Sequence, residues 1–418
     1  MTMADFTTSG WNNQNRPIAR LRRQIKNAFD GRPDVRSKSA PAVDACAFSR
    51  HHAPGHPVLC FAPDILAARA KRFLNEFPGQ VTYAVKSNSS LPVLATLTAA
   101  GLKGFDVASV GEIEAVRGIN PAAELHYHNP IKSPDEIASS YAQHNVRHFA
   151  LDDECELKKI VTVADPANTV LAVRFRLKGT QAVHDFTTKF GATPDDAVKL
   201  LRKVCDAGFI PALTFHPGSQ CYDPHAYTRH ISAAAEIARQ AGVELANLNV
   251  GGGFPAEYPG AGLPPLEAFF EAIRTSTLKA FGAHAPMLTC EPGRAMVAPS
   301  MSLLVQVKHV RDGSDEIFLS DGIYGALMEL SQAPLHPPVR LIRDGAEFAT
   351  GSTKPFTAYG PTCDPLDTLP APLALPTDVR PGDYVELGFM GAYSCATATG
   401  FNGYGQIETA QVQSVFSG

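Results

Sequence analysis

The chain has 418 residues, too many for one ordinary core, which implies two domains or a barrel with an accessory domain. Its 44% hydrophobic and 19% charged residues are the composition expected of a soluble globular protein. A net charge of −4 speaks against nucleic acid or a membrane surface as partner, and no uncharged apolar run approaches the ~18–20 residues that cross a bilayer.

The N-terminus, MTMADFTTSGW, lacks the basic-then-apolar order of a signal peptide. Cys46, Cys60, Cys155, Cys205, Cys221, Cys290, Cys363 and Cys395 form no CxxC pair, so they read as reduced thiols and the expected location is cytoplasmic. Residues 1–57 are polar and irregular, with a basic stretch at Arg16, Arg20, Arg22, Arg23 and Lys26. They read as an N-terminal arm that contributes in part to a later β domain. His51, His52 and His56 have no acid or thiol at ligand spacing, and no metal site is expected.

From Pro63 the pattern becomes regular. Leu66, Ala70, Phe73, Leu74 and Phe77 recur at helical spacing after a proline at the first helical position. Short apolar runs then alternate with amphipathic stretches: 81-VTYAV, 104-GFDVA, 125-LHYHN, 148-HFAL, 170-VLAVRFR, 213-LTFHP, 247-NLNVGG and 287-MLTCEP. One helix start between them is signalled by Ser133 before Pro134. An open doubly wound sheet gives the same alternation, but eight strands is the count of a (β/α)8 barrel, assigned to residues 58–299. Segments 302-SLLVQVKHV, 315-DEIFLS, 355-PFTAYG, 383-DYVELGF and 407-IETAQVQSVF are β-rich and predict a second, mostly antiparallel β domain over 300–418.

A barrel of this kind works where its strands end. Lys86 follows the first apolar strand; in a barrel mouth its ammonium loses solvation and its pKa is expected to fall, giving an amine fit for Schiff-base chemistry. A structural lysine is the competing reading. The second strand ends in Asp106, the fifth in Arg174, the sixth in His216, and the eighth in Glu291-Pro292-Gly293-Arg294. The seventh runs into Gly251-Gly252-Gly253, whose bare backbone suits a phosphate, and no GxGxxG dinucleotide fingerprint is present. A carboxylate such as Glu291 can keep a pyridine nitrogen protonated.

Nine ordered motifs then carry a resemblance: YAVKSN (83–88), GFDVAS (104–109), KFGA (189–192), HPGSQC (216–221), VGGGFP (250–255), EPGR (291–294), DGIYG (321–325), GPTCDPLD (360–367) and MGAYSCATATGFNGYG (390–405). The chain resembles the fold-type III pyridoxal-phosphate decarboxylases over residues 57–405, with ornithine decarboxylases the nearest group. The resemblance implies an alanine racemase-like fold and pyridoxal 5'-phosphate as cofactor. Lys86 then carries the cofactor, His216 stacks on its ring, and Glu291 pairs with its nitrogen. Ser219, Gly252, Gly253, Arg294 and Tyr393 hold its phosphate, with Pro292 and Gly293 in the same motif. Asp106 and Arg174 support Lys86. Cys363 protonates the product carbon, Asp364 receives the substrate's distal ammonium, and Tyr324 and Phe401 line the substrate side. The implied assembly is a homodimer in which Cys363 and Asp364 face the partner's Lys86.

The expected reaction is decarboxylation of an amino acid with a distal amine, L-ornithine to putrescine first and lysine second. One motif departs from the family: no acid follows DGIYG at the family's second amine-binding position. Glu329 stands about four residues early and is the candidate to replace it; loss of such a partner costs ~2–5 kcal/mol. A diaminopimelate decarboxylase would carry Cys-Glu-Ser-Gly-Asp where Cys363-Asp364-Pro365 stands. An alanine racemase would lack these C-terminal motifs. A cofactor-free regulator on this fold would have lost Lys86 or the glycine loop.

Overall fold

The computed structural model describes residues 42–177, 182–184, 189–349 and 351–418; the basic stretch at 16–26 lies outside them. Along the chain run β1 (Val58–Phe61), β2 (Gln80–Ala84), β3 (Gly104–Val107), β4 (Glu124–Tyr127), β5 (His148–Leu151) and β6 (Val170–Arg174). Then come β7 (Ala182–His184), β8 (Ile210–Thr214), β9 (Ser219–Cys221), β10 (Asn247–Asn249) and β11 (Met287–Cys290). Eight of these, in the order β10-β11-β2-β3-β4-β5-β6-β8, close a parallel barrel. The barrel strands are the eight apolar runs of the sequence. Buried on both faces, parallel strands read as continuous apolar segments, as in β3 and β5.

Helices cover the barrel, with ends set by local chemistry. The helix Pro63–Glu76 starts on its proline and buries Leu66, Ala70 and Phe73. Phe73 meets Phe254 and Phe270 edge-on at centroid distances of 5.6 and 5.4 Å. The helix Pro134–Ala142 opens with a full capping box: Ser133 accepts from the Glu136 N–H, and Glu136 accepts from the Ser133 N–H at 2.7 Å.

The remaining strands are β12 (Met301–Val310), β13 (Glu316–Leu319), β14 (Val339–Arg343), β15 (Ala346–Glu347), β16 (Thr353–Tyr359), β17 (Leu373–Pro376), β18 (Tyr384–Leu387) and β19 (Glu408–Gln411). They form a curled, mostly antiparallel sheet ordered β15-β14-β18-β12-β13-β16-β17. β1 joins this sheet, antiparallel to β12 and parallel to β19. Residues 58–61 therefore belong to the sheet, and the barrel starts at Gln80 rather than at residue 58. The cause is local: Val58 and Cys60 find their apolar partners in Leu304, Tyr384 and Ala410. The helix Ala45–His52, capped by Asp44, packs Ala45 and Phe48 into the same cluster. All eight cysteines are free, and no helix among the described residues is long and apolar enough to cross a membrane.

Candidate cofactor and substrate site

Beyond β2 a single 3-10 turn, Val85–Ser87, carries Lys86. Ser87 Oγ donates to the Ala84 carbonyl (2.8 Å), the Tyr393 N–H donates to the Ser87 carbonyl (2.7 Å), and Asn88 Nδ2 donates to the Gly391 carbonyl (2.8 Å). The turn is thus stitched to the segment that presents Tyr393. Lys86 opens into a cavity of about 220 Å³ whose wall includes Asp106, His128, Arg174, Phe190, His216 and Glu291. Burial would lower the Lys86 ammonium, as the sequence led one to expect. The Asp106 carboxylate, with Tyr393 and Glu291, outweighs that effect and moves it up instead. Lys86 rests as a cation.

The two carboxylates facing it are driven apart. Burial, and then the charge of Glu291, pushes Asp106 well above the usual range. Burial would also raise Glu291, but His128, Lys86 and Asn249 bring it down to about 2. His128 Nδ1 hydrogen-bonds Glu291 Oε1, and Asn249 Nδ2 donates to the same oxygen at 2.5 Å. Asn249 is oriented by its Oδ1, which accepts from the Gly251 N–H at 2.8 Å. Burial, then Lys86 and Arg174, pushes His216 well below its usual value, leaving a neutral ring. Its Nδ1 accepts from the Gly218 N–H at 3.0 Å, which puts the ring proton on Nε2.

The glycine loop explains itself by contact. A Cβ on Gly251 (φ +70°) would lie 2.1 Å from the Phe215 carbonyl oxygen, and one on Gly253 (φ +90°) 2.3 Å from that of Gly218. A Cβ on Gly252 would reach 2.7 Å from the Glu291 carbonyl oxygen and 3.1 Å from His216 Nε2. In the following motif, the Pro292 carbonyl accepts from the Ala84 N–H (3.1 Å), and a Cβ on Gly293 would touch Ser87 at 3.1 Å. Arg294 begins the short helix Arg294–Val297 and is buried beneath the Tyr393 ring, 5.1 Å from its centroid. Its Nη2 reaches Ser219 Oγ at 3.5 Å and pairs with Glu329. Its Nε and Nη1 are buried with no hydrogen-bond partner among the described residues.

Two partnerless donors on a buried cation beside a bare glycine loop are the setting an anion requires. The loop abuts His216, which shares a cavity wall with the Lys86 amine and the ionised Glu291, and the residues fit pyridoxal phosphate. Arg294, Ser219, Tyr393 and the loop would hold the phosphate, Glu291 the pyridine nitrogen, His216 the ring and Lys86 the aldehyde carbon.

Cys363, Asp364, Tyr324 and Phe401 form a second cluster that does not line the Lys86 cavity. The Tyr324 hydroxyl donates to Asp364 Oδ2 (2.6 Å), the Leu366 N–H to Asp364 Oδ1 (2.9 Å), and the Cys363 N–H to Asn402 Oδ1 (3.1 Å). The Phe401 ring lies 4.7 Å from that of Tyr324. The Tyr324 hydrogen bond, then the Leu366 N–H, holds Asp364 below the usual carboxylate range. Cys363 is exposed. Buried Asp367 pins this loop: it accepts from the Ile323 N–H (2.9 Å), the Thr362 N–H (3.0 Å) and Thr362 Oγ1 (2.7 Å). Cβ atoms on Gly322 and Gly360 would lie 2.0 and 2.2 Å from its Oδ1.

Glu329, expected on the substrate side, is turned inward by the helix Met328–Gln332 and pairs with the guanidinium of Arg294. His128, Asn249 and Asp367 were missed. The first two stand at strand ends, the feature that revealed the others. A second His–carboxylate group, Glu124, His126 and His148, lies lower on β4 and β5. Its histidine rings stack at 4.1 Å and 4°, so their planes are parallel and one ion cannot lie in the plane of both.

A closed barrel joined to a curled sheet, with a lysine after its first strand and a glycine loop and buried arginine after its last two, is the architecture of the fold-type III pyridoxal-phosphate enzymes. Residues 64–298 match the family described as pyridoxal-dependent decarboxylase, pyridoxal binding domain. The chain belongs to that family. It is 32% identical over 331 residues to a lysine/ornithine decarboxylase of Selenomonas ruminantium, covering 78% of this chain and 81% of that one. It is 31% identical over 361 residues to the ornithine decarboxylase of Mus musculus, covering 80% and 75%. The arginine decarboxylase of Paramecium bursaria Chlorella virus superposes with a TM-score of 0.78 at 26% identity, over 87% of this chain and 98% of that one.

Proposed function

We propose that this chain decarboxylates a basic amino acid with a distal ammonium, L-ornithine to putrescine foremost, as a homodimer in the cytoplasm. The observation that carries the reading is Asp364, a carboxylate kept ionised and aimed by Tyr324 on an accessible rim. Relatives whose names include ornithine, lysine and arginine decarboxylase support the substrate class. Pyridoxal phosphate, when bound, supplies the electron sink that accepts the pair left by the departing carboxylate. Glu291 stays ionised to hold the pyridine nitrogen's proton, and Lys86 holds the cofactor and orients it toward His216. Sγ of the partner subunit's Cys363 delivers a proton to the substrate's α-carbon, and the partner's Asp364 binds the distal ammonium. The exposure of Cys363 and its place outside the Lys86 cavity support a site completed by a second copy.

Lysine is the second reading. With Glu329 committed to Arg294, one acid rather than two meets the distal amine, which weakens selection for a single chain length. The test is CO2 release from ornithine, lysine, arginine and diaminopimelate side by side. The highest kcat/KM is expected for ornithine, with lysine next; preference for diaminopimelate or arginine overturns the assignment. Borohydride reduction and peptide mapping should place the cofactor on Lys86.

A further inference from the structure

Glu329 is left without a task once Asp364 alone receives the substrate amine. Its side chain is 10% exposed and that of Arg294 4%, so both charges are out of bulk water. A guanidinium offers five N–H donors. Glu329 and Ser219 occupy Nη2, while Nε and Nη1 remain buried without partners among the described residues. An acid serving only to neutralise the cation would not account for two donor nitrogens, with three N–H groups between them, left unmade, each of which is costly when buried. The arrangement makes sense for a guanidinium gripped at one nitrogen so that the others meet a second anion. A carboxylate and a phosphate repel each other, and the order carboxylate, guanidinium, phosphate keeps opposite charges adjacent.

We propose that Glu329 is a positioning residue: by holding Nη2 it turns Nε and Nη1 of Arg294 toward the cofactor's phosphate. This rests on reading Arg294 as a phosphate contact. Ser219 at 3.5 Å is too distant to fix Nη2 alone, and the Tyr393 ring bounds the guanidinium on one face without directing its in-plane donors. The buried Tyr258 hydroxyl also lies against the guanidinium, but it is neutral, so the charged hydrogen bond to Glu329 is the stronger directional constraint.

Pyridoxal 5'-phosphate and pyridoxal differ only in the phosphate, so the ratio of their dissociation constants isolates its contribution. Both are titrated into cofactor-stripped protein and followed by visible absorbance. Glu329→Ala is expected to lower the preference for the phosphorylated form by about tenfold or more, leaving pyridoxal binding within about twofold. Glu329→Gln, whose amide oxygen still accepts from Nη2, should stay within about threefold of the parent. Should the alanine variant fail to fold, Glu329→Asp, with its acceptor one methylene shorter, should lower the preference in the same direction.

An unchanged preference in the alanine or aspartate variant overturns the proposal. So does a glutamine variant as impaired as alanine, since charge and not direction would then matter. A raised amino-acid KM at saturating cofactor with the preference intact would return Glu329 to the substrate. Arg294→Ala is the separate control: if it keeps the preference, the phosphate reading itself falls.

Discussion

Glu291 and Asp106 are carboxylates in one buried mouth, and their neighbours send them in opposite directions. Glu291 sits at about 2, below its ordinary ~4.3. A depressed acid contributes stability that is present above the unfolded value and lost as pH falls toward the folded one, so its share disappears between about pH 4 and 2. At neutral pH it is an anion, as a partner for a protonated ring nitrogen must be. His128 is the first neighbour to credit. Replacing it by phenylalanine removes a hydrogen bond to a charged group, ~1.5–3 kcal/mol, so kcat/KM should fall about 10- to 100-fold. Steady-state kinetics at saturating cofactor checks this, and an unchanged value would mean that Asn249 suffices. On the substrate side, Asp364→Ala should raise KM for the diamino acid by about tenfold or more. Tyr324→Phe, which loses one hydrogen bond, should raise KM by about fivefold or less. Equal KM values for Asp364→Ala and the parent would remove the distal-ammonium role. Strand-end reasoning reached Lys86, Asp106, Arg174, His216 and Glu291 because a charge there has no structural excuse. His128 and Asn249 stand at comparable places but are uncharged at first sight and pass for satisfied core groups. Glu329 was visible as an acid, yet its partner was not, because Arg294 lies 35 residues back and on a different element.

At the scale of elements, burial decided what was legible. The parallel barrel strands have no solvated face, so each appears as an apolar run bounded by polar residues. β14 and β17 lay hidden in proline-rich sequence, after Pro337-Pro338 and between Pro372 and Pro376. A strand at a sheet's end tolerates prolines because half its N–H groups need no partner, and β17 ends its sheet. The loop after β4 shows a different device. Lys132, with no side-chain exposure, pairs with Glu156 at 3.1 Å and donates to the carbonyls of Asn129 (2.8 Å) and Ala150 (2.7 Å). It ties the loop bearing the cavity residues Asn129 and Pro130 to the end of β5 and the helix Glu154–Val161. Burial pushes its ammonium down to about 8. Below that pH both folded and unfolded chains hold the proton. Between about 8 and the ordinary ~10.4 the unfolded chain binds more protons, so this group makes stability rise with pH over that window. Lys132→Met should therefore lose ~2–4 kcal/mol at pH 7, since the bonds to two carbonyls go while Glu156 keeps Lys159, and should flatten the rise above pH 8. Urea unfolding at pH 7, 8 and 10 measures both; a slope above pH 8 that survives the substitution would rule out Lys132 as its source.

At the scale of the molecule, the chemistry is divided between two places. Lys86, Asp106, Arg174, His216 and Glu291 line a cavity in the barrel mouth, while Cys363 and Asp364 are not part of its wall. Composition and periodicity gave no hint of this division; the expectation of a dimer came from the family resemblance, because self-association is written in surface shape rather than in strand or helix period. If one protomer's rim completes the other's cavity, mixed dimers of two damaged chains have a defined outcome. A Lys86→Ala protomer still offers its rim, and a Cys363→Ala protomer still offers its cavity. Their heterodimer contains one site lacking both residues and one site with both intact. Random mixing makes half the dimers mixed, so about a quarter of all sites regain full function. Each variant alone should be far below that: Lys86→Ala without covalent cofactor, and Cys363→Ala slowed ~10²–10⁴-fold while keeping its visible absorbance. Co-expression with two tags and a CO2-release assay counts the restored sites, and tandem purification, which keeps only mixed dimers, should raise their share to about half. If Cys363 serves the Lys86 of its own chain, every site in every mixture carries one defect and no activity returns.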